Sequence, residues 1–309
     1  MKAELLRRDG VIDLPELLTW RLVHTDGSSA DSFELCFPTD SALFSALRGT
    51  RELRCVENGE VRFRGVVDEV ESLWENSFVT TLCGRGFAAK LMDNQVEGAE
   101  FYTLDLDTVL SRYVRPYGVS AISVQGGPWR TQLLSVGAGS TCQQVLHGFC
   151  LHAGAPQPRF LTDGTLCIAP GKGQHTIRAT DLLSAARRLC RYGVISSQKV
   201  IDLSHIATRT AEAPALSSFD IASHRVATRS GPFTRITERS ARQRLEASAK
   251  NLDTVEVVLP GYHPAQPCDR VILSLPDMAT DGNFTVTEVC RHFDGKSETT
   301  KLCLRAKEV

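Results

Sequence analysis

One pattern of strands and turns occurs twice in the 309-residue sequence, near its opposite ends. Val66 to Arg85 reads VVDEVESLWENSFVTTLCGR, and Phe284 to Arg305 reads FTVTEVCRHFDGKSETTKLCLR. Each copy predicts a β-strand that ends in an acid and a valine, then a polar turn, then a strand with alternating threonines that closes on Leu-Cys-x-Arg. A duplicated β-module allows three chains to present six similar units, so the repeat predicts an architecture before it predicts a chemistry.

The first part of the chain, residues 1–95, has the pattern of short strands and tight turns. Apolar residues alternate with polar ones, which indicates strands with one buried face. We expect five or six strands, a helix near residues 40–47, and a small antiparallel barrel or sandwich. The strand positions are Trp20, Leu22 and His24, then Phe33, Leu35 and Phe37, then Val61, Phe63, Gly65 and Val67; the turns are Asp9-Gly10, Asp26-Gly27 and Asn58-Gly59.

The pattern changes to a helical period in residues 96–175. Leu106 to Val114 predicts an amphipathic helix that ends before Pro116, because proline disfavours continuation. A second helix is predicted from Ser140, with Gln143 completing a capping box, to Gly154. A hairpin at Asp163-Gly164 follows, so we expect a small α/β unit.

Strand patterns return in residues 176–309, after Gly171-Lys172-Gly173, which we interpret as a hinge. We expect a polar helix near residues 240–251 and hairpins at Asp281-Gly282 and Asp294-Gly295. The predicted fold class is mainly β with an α+β insert: two small antiparallel tube-like β-barrels flanking a small α/β domain. Residues 32–37 and 255–259 are predicted to be the edge strands that contact neighbouring subunits.

Composition excludes several classes of function. The net charge of -1 provides no overall field for nucleic acid or an anionic membrane. Arg7, Arg8 and Asp9 stand where a signal peptide needs apolar residues, and no stretch approaches the ~20 apolar residues of a membrane span. The ten cysteines contain no CxxC pair, which favours free thiols in a reducing compartment and folding in the cytosol.

No complete active site is predicted. Cys142, His147, Cys150 and His152 are the densest group of metal-ligand residues, but on a helix the two cysteines lie about 12 Å apart and His152 points away. Asp68 and Glu69 point to opposite faces of a strand, and Asp105 and Asp107 flank a helix start. We therefore expect no catalytic, cofactor-binding or metal-binding residues.

Glycine-rich and basic segments also have simpler interpretations than ligand sites. Pro170 to Gln174 has Leu166 and Gly173 where a phosphate loop needs glycine and a hydroxyl residue, and Gly84-Arg85-Gly86 lacks the third glycine of a dinucleotide site. Two basic sets are more typical of solvated faces or pairs between subunits than of a polyanion channel. These sets are Arg187, Arg188 and Arg191, and Arg235, Arg239, Arg242 and Arg244.

The order of motifs resembles the tail hub proteins of contractile-tailed phages, which include the late-control D and Mu-like hubs and relatives in phage-tail-like bacteriocins and injection systems. The resemblance covers most of the chain from about residue 50. It rests on FRGVVDEV and LCGRGFAAKLMD, then RPYG, GSTCQQVL and DGTLCI, then LLSAARR to VID, and finally GNFTVTEV and TTKLCL.

The resemblance implies a structural baseplate or tail hub protein that is not an enzyme and needs no cofactor. It implies a homotrimer whose six barrels form a pseudo-sixfold ring between the hexameric tail tube and the trimeric central spike. The implied partners are the tube protein, the spike protein, and tape-measure protein or DNA in the channel, with no membrane. The implied location is a virion or tail-like particle assembled in the host bacterial cytoplasm, with the spike and any peptidoglycan hydrolase on separate chains.

An alternative of a different class is a tail-tip cell-wall hydrolase or carbohydrate-binding module built on the middle unit. That function needs convergent carboxylates or a Cys-His pair, for example Cys150 with His175, and Asp163 is a further candidate.

Overall fold

The computed structural model describes residues 1–7, 10–75, 77–203, 207–229, 238–278 and 280–306. The fold is mainly β, with several sheets and five α-helices among the described residues. The elements of the N-terminal part are β1 (Lys2–Arg7), β2 (Gly10–Asp13), β3 (Thr19–Thr25), β4 (Ser32–Pro38), α1 (Ser41–Leu47), β5 (Glu52–Glu57), β6 (Glu60–Trp74), β7 (Phe78–Gly86) and α2 (Ala88–Met92).

The middle part alternates strands and helices, and its elements are β8 (Ala99–Asp105), α3 (Leu106–Tyr113), β9 (Ile122–Val124), β10 (Arg130–Val136), α4 (Cys142–Ala153), β11 (Arg159–Phe160) and β12 (Leu166–Ile168). The C-terminal part contains β13 (Gln174–Arg178), β14 (Ser184–Leu189), β15 (Ser197–Asp202), β16 (Ala207–Glu212), β17 (His224–Arg229), α5 (Glu238–Ala249), β18 (Asp253–Pro260), β19 (Arg270–Leu275), β20 (Thr280–Phe293) and β21 (Glu298–Ala306).

Thirteen of the strands form one continuous sheet that contains both ends of the chain. Its main path runs β14-β18-β21-β20-β3-β4-β7-β6-β5-β1-β2, and β19 joins β20 to β13 beside that path. We call strands β1 to β7 the N-terminal module, and strands β13, β14 and β18 to β21 the C-terminal module. The two modules meet where β20 pairs with β3.

The two modules have the same strand order. In the N-terminal module the neighbours are β3-β4-β7-β6-β5-β1, and in the C-terminal module they are β14-β18-β21-β20-β19-β13. If β2 is omitted, the strands at matching positions follow the same order along the chain. Strands β1, β3, β4, β5, β6 and β7 correspond to β13, β14, β18, β19, β20 and β21. One direction differs, because β1 is antiparallel to β5 whereas β13 is parallel to β19. The repeat therefore spans six strands, four more than the matching sequences predict.

Both modules contain a β-bulge at the same point of the repeat. The register of β6 on β7 shifts between Val67 and Glu69, and that of β20 on β21 shifts between Val286 and Glu288. The prediction that each first strand ends in an acid and a valine is wrong, because β6 continues to Trp74 and β20 to Phe293. A bulge bends a strand without ending it, which explains the break in the apolar pattern there.

Each module has its own hydrophobic core. The N-terminal core includes Leu5, Leu22, Leu35, Phe37, Phe63 and Leu82, and the C-terminal core includes Val255, Val257, Val271, Leu273, Leu302 and Leu304. The alternation that predicts strands with one buried face is thus confirmed at these positions. The strand pairing of the described residues leaves each module an open sheet, so the two closed barrels are not found.

The middle part has a separate core, in which α3 and α4 pack with β8, β10 and β12. The predicted helix after Asp105 is confirmed, since the Asp105 carboxylate accepts a hydrogen bond from Thr108 N at 2.9 Å. The second helix begins one residue later than predicted: Thr141 is the N-cap and Gln144 completes the capping box. It ends at Gly154, whose φ of 73° suits a left-handed C-cap.

An insertion between β14 and β18 forms a smaller unit of its own. Strand β15 pairs with β16 and β17 in a three-stranded sheet, against which α5 packs. Helix α5 spans Glu238–Ala249, close to the predicted residues 240–251. The strands of this unit stand apart from the large sheet, whereas the sequence predicts that they belong to the second barrel.

Most predicted turns connect paired strands. Asn58-Gly59 joins β5 to β6, and Asp294-Gly295 joins β20 to β21. The predicted hairpin at Asp281-Gly282 is wrong, because both residues lie inside β20 and pair with β19. The chain turns instead at Pro276–Met278. The predicted turn at Asp9-Gly10 includes Asp9, which lies outside the described residues.

Candidate assembly surfaces

The metal-ligand residues of the middle part do not converge. Cys142 and Cys150 are buried in the core of that part, while His152 is exposed on the last turn of α4. No group of three or more histidine, cysteine, aspartate or glutamate side chains is arranged to hold a metal ion in the part of the chain that the structure describes. A zinc site needs its four ligands around one ion, whereas these side chains are divided between the core and the surface.

Three of the four paired carboxylates, Asp68, Asp105 and Asp107, have a structural partner. Arg85 of β7 donates to Asp68 of β6 at 2.7 Å and to Asp93 at 2.8 Å, so Arg85 links β6 to the segment after α2. Asp107 lies in the first turn of α3 and forms a long ion pair of 3.4 Å with Arg115. Neither arrangement places two carboxylates across a cleft, as glycoside cleavage requires.

A groove between α4 and α5 has the volume of a ligand site, about 520 Å³. His147 and Cys150 line it with Glu246 and Lys250. Burial, and secondarily the charge of Lys250, lowers the pKa of His147 to about 4, while burial raises the pKa of Cys150 to about 12. Near neutral pH the thiol is therefore protonated, and the groove lacks the thiolate that a cysteine nucleophile needs.

The Cys-His pair considered for the hydrolase alternative lies in two different parts of the fold. Cys150 belongs to α4, whereas His175 belongs to β13, where its Nε2 is 3.1 Å from the Asp269 carboxylate. Asp269 also accepts a hydrogen bond from Gly173 N at 2.8 Å, so the Gly171-Lys172-Gly173 segment, which we interpret as a hinge, contacts the residue that precedes β19. Asp163 accepts from Thr165 N at 2.9 Å within the β11–β12 turn.

The strands predicted to be edges are interior strands. Strand β4, which contains residues 32–37, lies between β3 and β7, and β18, which contains residues 255–259, lies between β14 and β21. The alternating patterns are real, but a strand flanked on both sides has no backbone groups available for a neighbouring subunit. The surfaces that could pair with another chain must be found elsewhere in the sheet.

The contact between the two modules shows how one module accepts a strand of the other. Glu288 to Phe293 of β20 pair antiparallel with Thr25 to Trp20 of β3. This segment of β20 is available because β19 ends its pairing at Thr285. The rings of Trp20 and Phe293 stack with centroids 6.2 Å apart, which adds an apolar contact to the backbone hydrogen bonds.

Arg291 binds the two modules together at this contact. It is 4% exposed, and its guanidinium lies 2.9 Å from Glu57 of the N-terminal module and also binds Glu298. The guanidinium covers the ring of Tyr262, with 4.4 Å to the centroid. Arg62 of the N-terminal module lies 4.5 Å from the centroid of the same ring and donates to its hydroxyl at 2.9 Å.

Several strand edges have no partner strand within the described residues, among them those of the second half of β6 and of β14. The second half of β6, from about Asp68 to Trp74, pairs with β7 on one side only, because β5 ends its pairing at Val66. Strand β14 pairs only with β18. Exposed apolar side chains accompany both edges: Leu73 and Trp74 are 59% and 77% exposed, and Leu189 is 46% exposed. Such edges and patches are typical of surfaces that another chain covers.

The basic sets fall partly on these surfaces. Arg187 of β14 binds the buried Asp253 at 2.7 Å, whereas Arg188 and Arg191 are exposed. Arg242 and Arg244 are exposed on α5. Arg235 and the side chain of Arg239 lie outside what the structure describes. The sequence patterns do not identify the edges of β6 and β14, because their lack of a partner follows from the ends of other strands.

The fold is shared with solved structures of tail proteins. The tail protein from Neisseria meningitidis MC58 superposes with a TM-score of 0.77 at 16% identity, covering 99% of this chain and 96% of that chain. The 43 kDa tail protein of prophage MuSo2 from Shewanella oneidensis gives 0.76 at 14% identity, covering 98% of each chain.

A third similar structure is an E. coli component of the type VI secretion system, described as structurally similar to the T4 bacteriophage tail proteins gp27 and gp5. It gives a TM-score of 0.59 at 9% identity, covering 94% of this chain and 73% of that chain.

No protein-family model and no curated protein sequence matches the chain. At these identities the likeness concerns the fold, and at that level the resemblance to phage tail and baseplate proteins is confirmed. Among the described residues, none of the helices is both long and apolar enough to cross a membrane.

Proposed function

We propose that this chain is a structural hub protein of a phage tail or a related injection apparatus. Three copies form a ring in which six similar modules surround a channel. The ring adapts the hexameric symmetry of a tail tube, on one side, to the trimeric symmetry of a central spike on the other. The protein is not an enzyme in this proposal, and it belongs to a virion or tail-like particle assembled in the host bacterial cytoplasm.

The observation that carries the proposal is the repeat of six strands in the same order, with the two copies joined by a strand pair. A chain built from two equivalent modules can contact a sixfold tube through every module and a threefold spike once per chain. A head-to-tail contact between modules generates a ring when its rotation closes.

The organisation and partners follow from the same proposal. Residues 1–95 and 176–309 form the two tube-like β-modules of each chain, and residues 96–175 form the α/β unit. The partners are the tube protein, the spike protein, and tape-measure protein or DNA in the channel. The fold similarity to tail proteins and to a type VI secretion component supports a place in such a particle.

The direct test of this function is the mass of the purified protein. We expect native mass spectrometry over a range of concentrations to show monomers and trimers, with trimers increasing as the concentration rises. A chain that remains monomeric at the highest concentration, or that forms only dimers, contradicts the proposal. Turnover of purified peptidoglycan that is lost on Cys150→Ala or Asp163→Asn substitution would favour the hydrolase alternative instead.

A further inference from the structure

We propose that one copy of the chain joins the next by an antiparallel strand pair between the second half of β6 and β14 of the neighbouring copy. This inference rests on the proposed ring and identifies the surface that closes it. The contact repeats, between chains, the pairing that β20 and β3 make within one chain. It therefore places every module in the same relation to the module beside it.

Strands β6 and β20 occupy equivalent positions in the two modules. The shared bulge aligns Val67 with Val286 and Glu69 with Glu288. Continuing this alignment matches Trp74 with Phe293, so Glu69 to Trp74 of β6 correspond to the segment of β20 that pairs with β3. Within the described residues that segment of β20 has a partner strand on both sides, whereas the matching segment of β6 pairs with β7 alone.

Strands β14 and β3 also occupy equivalent positions. In the N-terminal module, Leu82 faces Leu35, which faces Trp20; in the C-terminal module, Leu302 faces Val257, which faces Ala185. Ala185 therefore occupies the position of Trp20. Strand β3 is covered by β20, whereas the corresponding edge of β14 has no partner strand in the described chain.

These two alignments determine the register of the contact between copies. Carried over from the pairs that β20 makes with β3, the register opposes Val70 to Leu189, Glu71 to Arg188, Ser72 to Arg187, Leu73 to Ala186 and Trp74 to Ala185 of the neighbouring copy. The largest exposed side chains of β6 thus meet the two alanines of β14. Small residues opposite large ones allow the sheets to approach without overpacking.

Charge also favours this register. The edge of β6 carries Glu69, Glu71 and Glu75, all exposed, and the edge of β14 carries the exposed Arg188 and Arg191. Within the described residues neither Glu71 nor Arg188 forms an ion pair, so both are available for a partner. Ser72 bonds to the buried Thr80, so Glu71, the residue before it, lies on the opposite face of β6. Arg187 binds the buried Asp253, so Arg188, the residue after it, lies on the opposite face of β14. The register therefore brings Glu71 and Arg188 together on the same outer face.

The experiment is a charge swap. Glu71→Arg and Arg188→Glu each oppose two like charges at every contact between copies, and we expect each to raise the concentration needed for trimers by about tenfold or more. The double variant restores an opposite-charge pair and is expected to assemble within about threefold of the wild type. Glu97→Arg, which changes an exposed acid outside both edges by the same charge, is the matched control and should assemble normally.

The outcomes separate this contact from the proposed function. If the wild type is trimeric and Glu71→Arg is equally trimeric, the pairing is wrong while the hub function stands. If the wild type never assembles, the proposed function fails, and the pairing fails with it. Restoration of assembly by the double variant cannot result from repair of a folding defect, since the two positions are not in contact within one chain. If both single variants weaken assembly and the double variant does not restore it, the Glu71–Arg188 pair is wrong.

A cross-link tests the register independently. Leu73→Cys combined with Ala186→Cys places two thiols directly opposite each other, where Cβ atoms are about 4.5–5.5 Å apart and a small shift permits a disulfide. We expect mild oxidation to produce covalently linked trimers on a denaturing gel without reductant. The control combines Leu73→Cys with Arg188→Cys, two residues out of register, and equal cross-linking of both pairs would overturn the register.

Discussion

Replacement of Arg291 by methionine is expected to lower the free energy of unfolding by about 3 kcal/mol. Methionine retains much of the length of the side chain but removes a 4% exposed guanidinium that binds Glu57 and Glu298 and covers Tyr262. The loss leaves Glu298 without this cation and leaves Glu57 with the longer ion pair to Arg62, of 3.4 Å, at the contact between the modules. Since both carboxylates retain some exposure to water, the expected cost lies at the lower end of the range for a broken buried pair.

The measurement is urea unfolding followed by tryptophan fluorescence, because Trp20 lies 5.4 Å from the Arg291 guanidinium. Arg51→Met, at an exposed arginine just before β5, is the matched control and should change the stability by less than about 0.5 kcal/mol. Equal stability of the two variants would show that Arg291 does not hold the modules together.

Substitution of Gly84 by alanine is expected to destabilise the N-terminal module by about 3 kcal/mol. A Cβ atom at this position would lie 2.1 Å from the carbonyl oxygen of Val66 and 2.5 Å from the Phe33 ring. The nearest obstacle is backbone of the neighbouring strand, so β6 and β7 must separate to accommodate one methyl group. The equivalent position of the C-terminal module holds Leu304, where Val255 replaces Phe33 and leaves more space.

Gly148→Ala is the matched control for this substitution. Gly148 lies within α4, where an added Cβ meets no atom within 4 Å, so alanine should stabilise the protein by about 0.5–1 kcal/mol through its helix propensity. Thermal unfolding by circular dichroism distinguishes the two variants. A Gly84→Ala protein that unfolds at the temperature of the wild type would show that the close packing of β4, β6 and β7 is not as described.

Local patterns in the sequence predict the parts of the fold that depend on local physics. Asp40 and Asp105 are N-caps of helices, Asn58-Gly59 forms a hairpin turn, and the alternation around Leu35 marks a buried strand face. The repeated Leu-Cys-x-Arg reveals the two related hairpins because those strands occupy the centre of each module, where packing restricts the side chains.

The relations between distant strands leave no comparable signal in the sequence. Trp20 and Ala185 occupy equivalent positions but share no side-chain property, because Trp20 is covered by Phe293 in the same chain whereas no strand of the described chain covers Ala185. The sequence therefore does not predict the edges of β6 and β14 as contact surfaces. Whether a strand segment lies at a sheet edge depends on where the neighbouring strand ends, and the residues of the segment itself do not indicate this.

End-on electron microscopy of the assembled particle tests the central claim most directly. The account predicts class averages with six similar densities around a channel, produced by three chains, with alternate contacts made within and between chains. An assembly with any other number of densities, or a trimer whose modules do not share one ring, would contradict it.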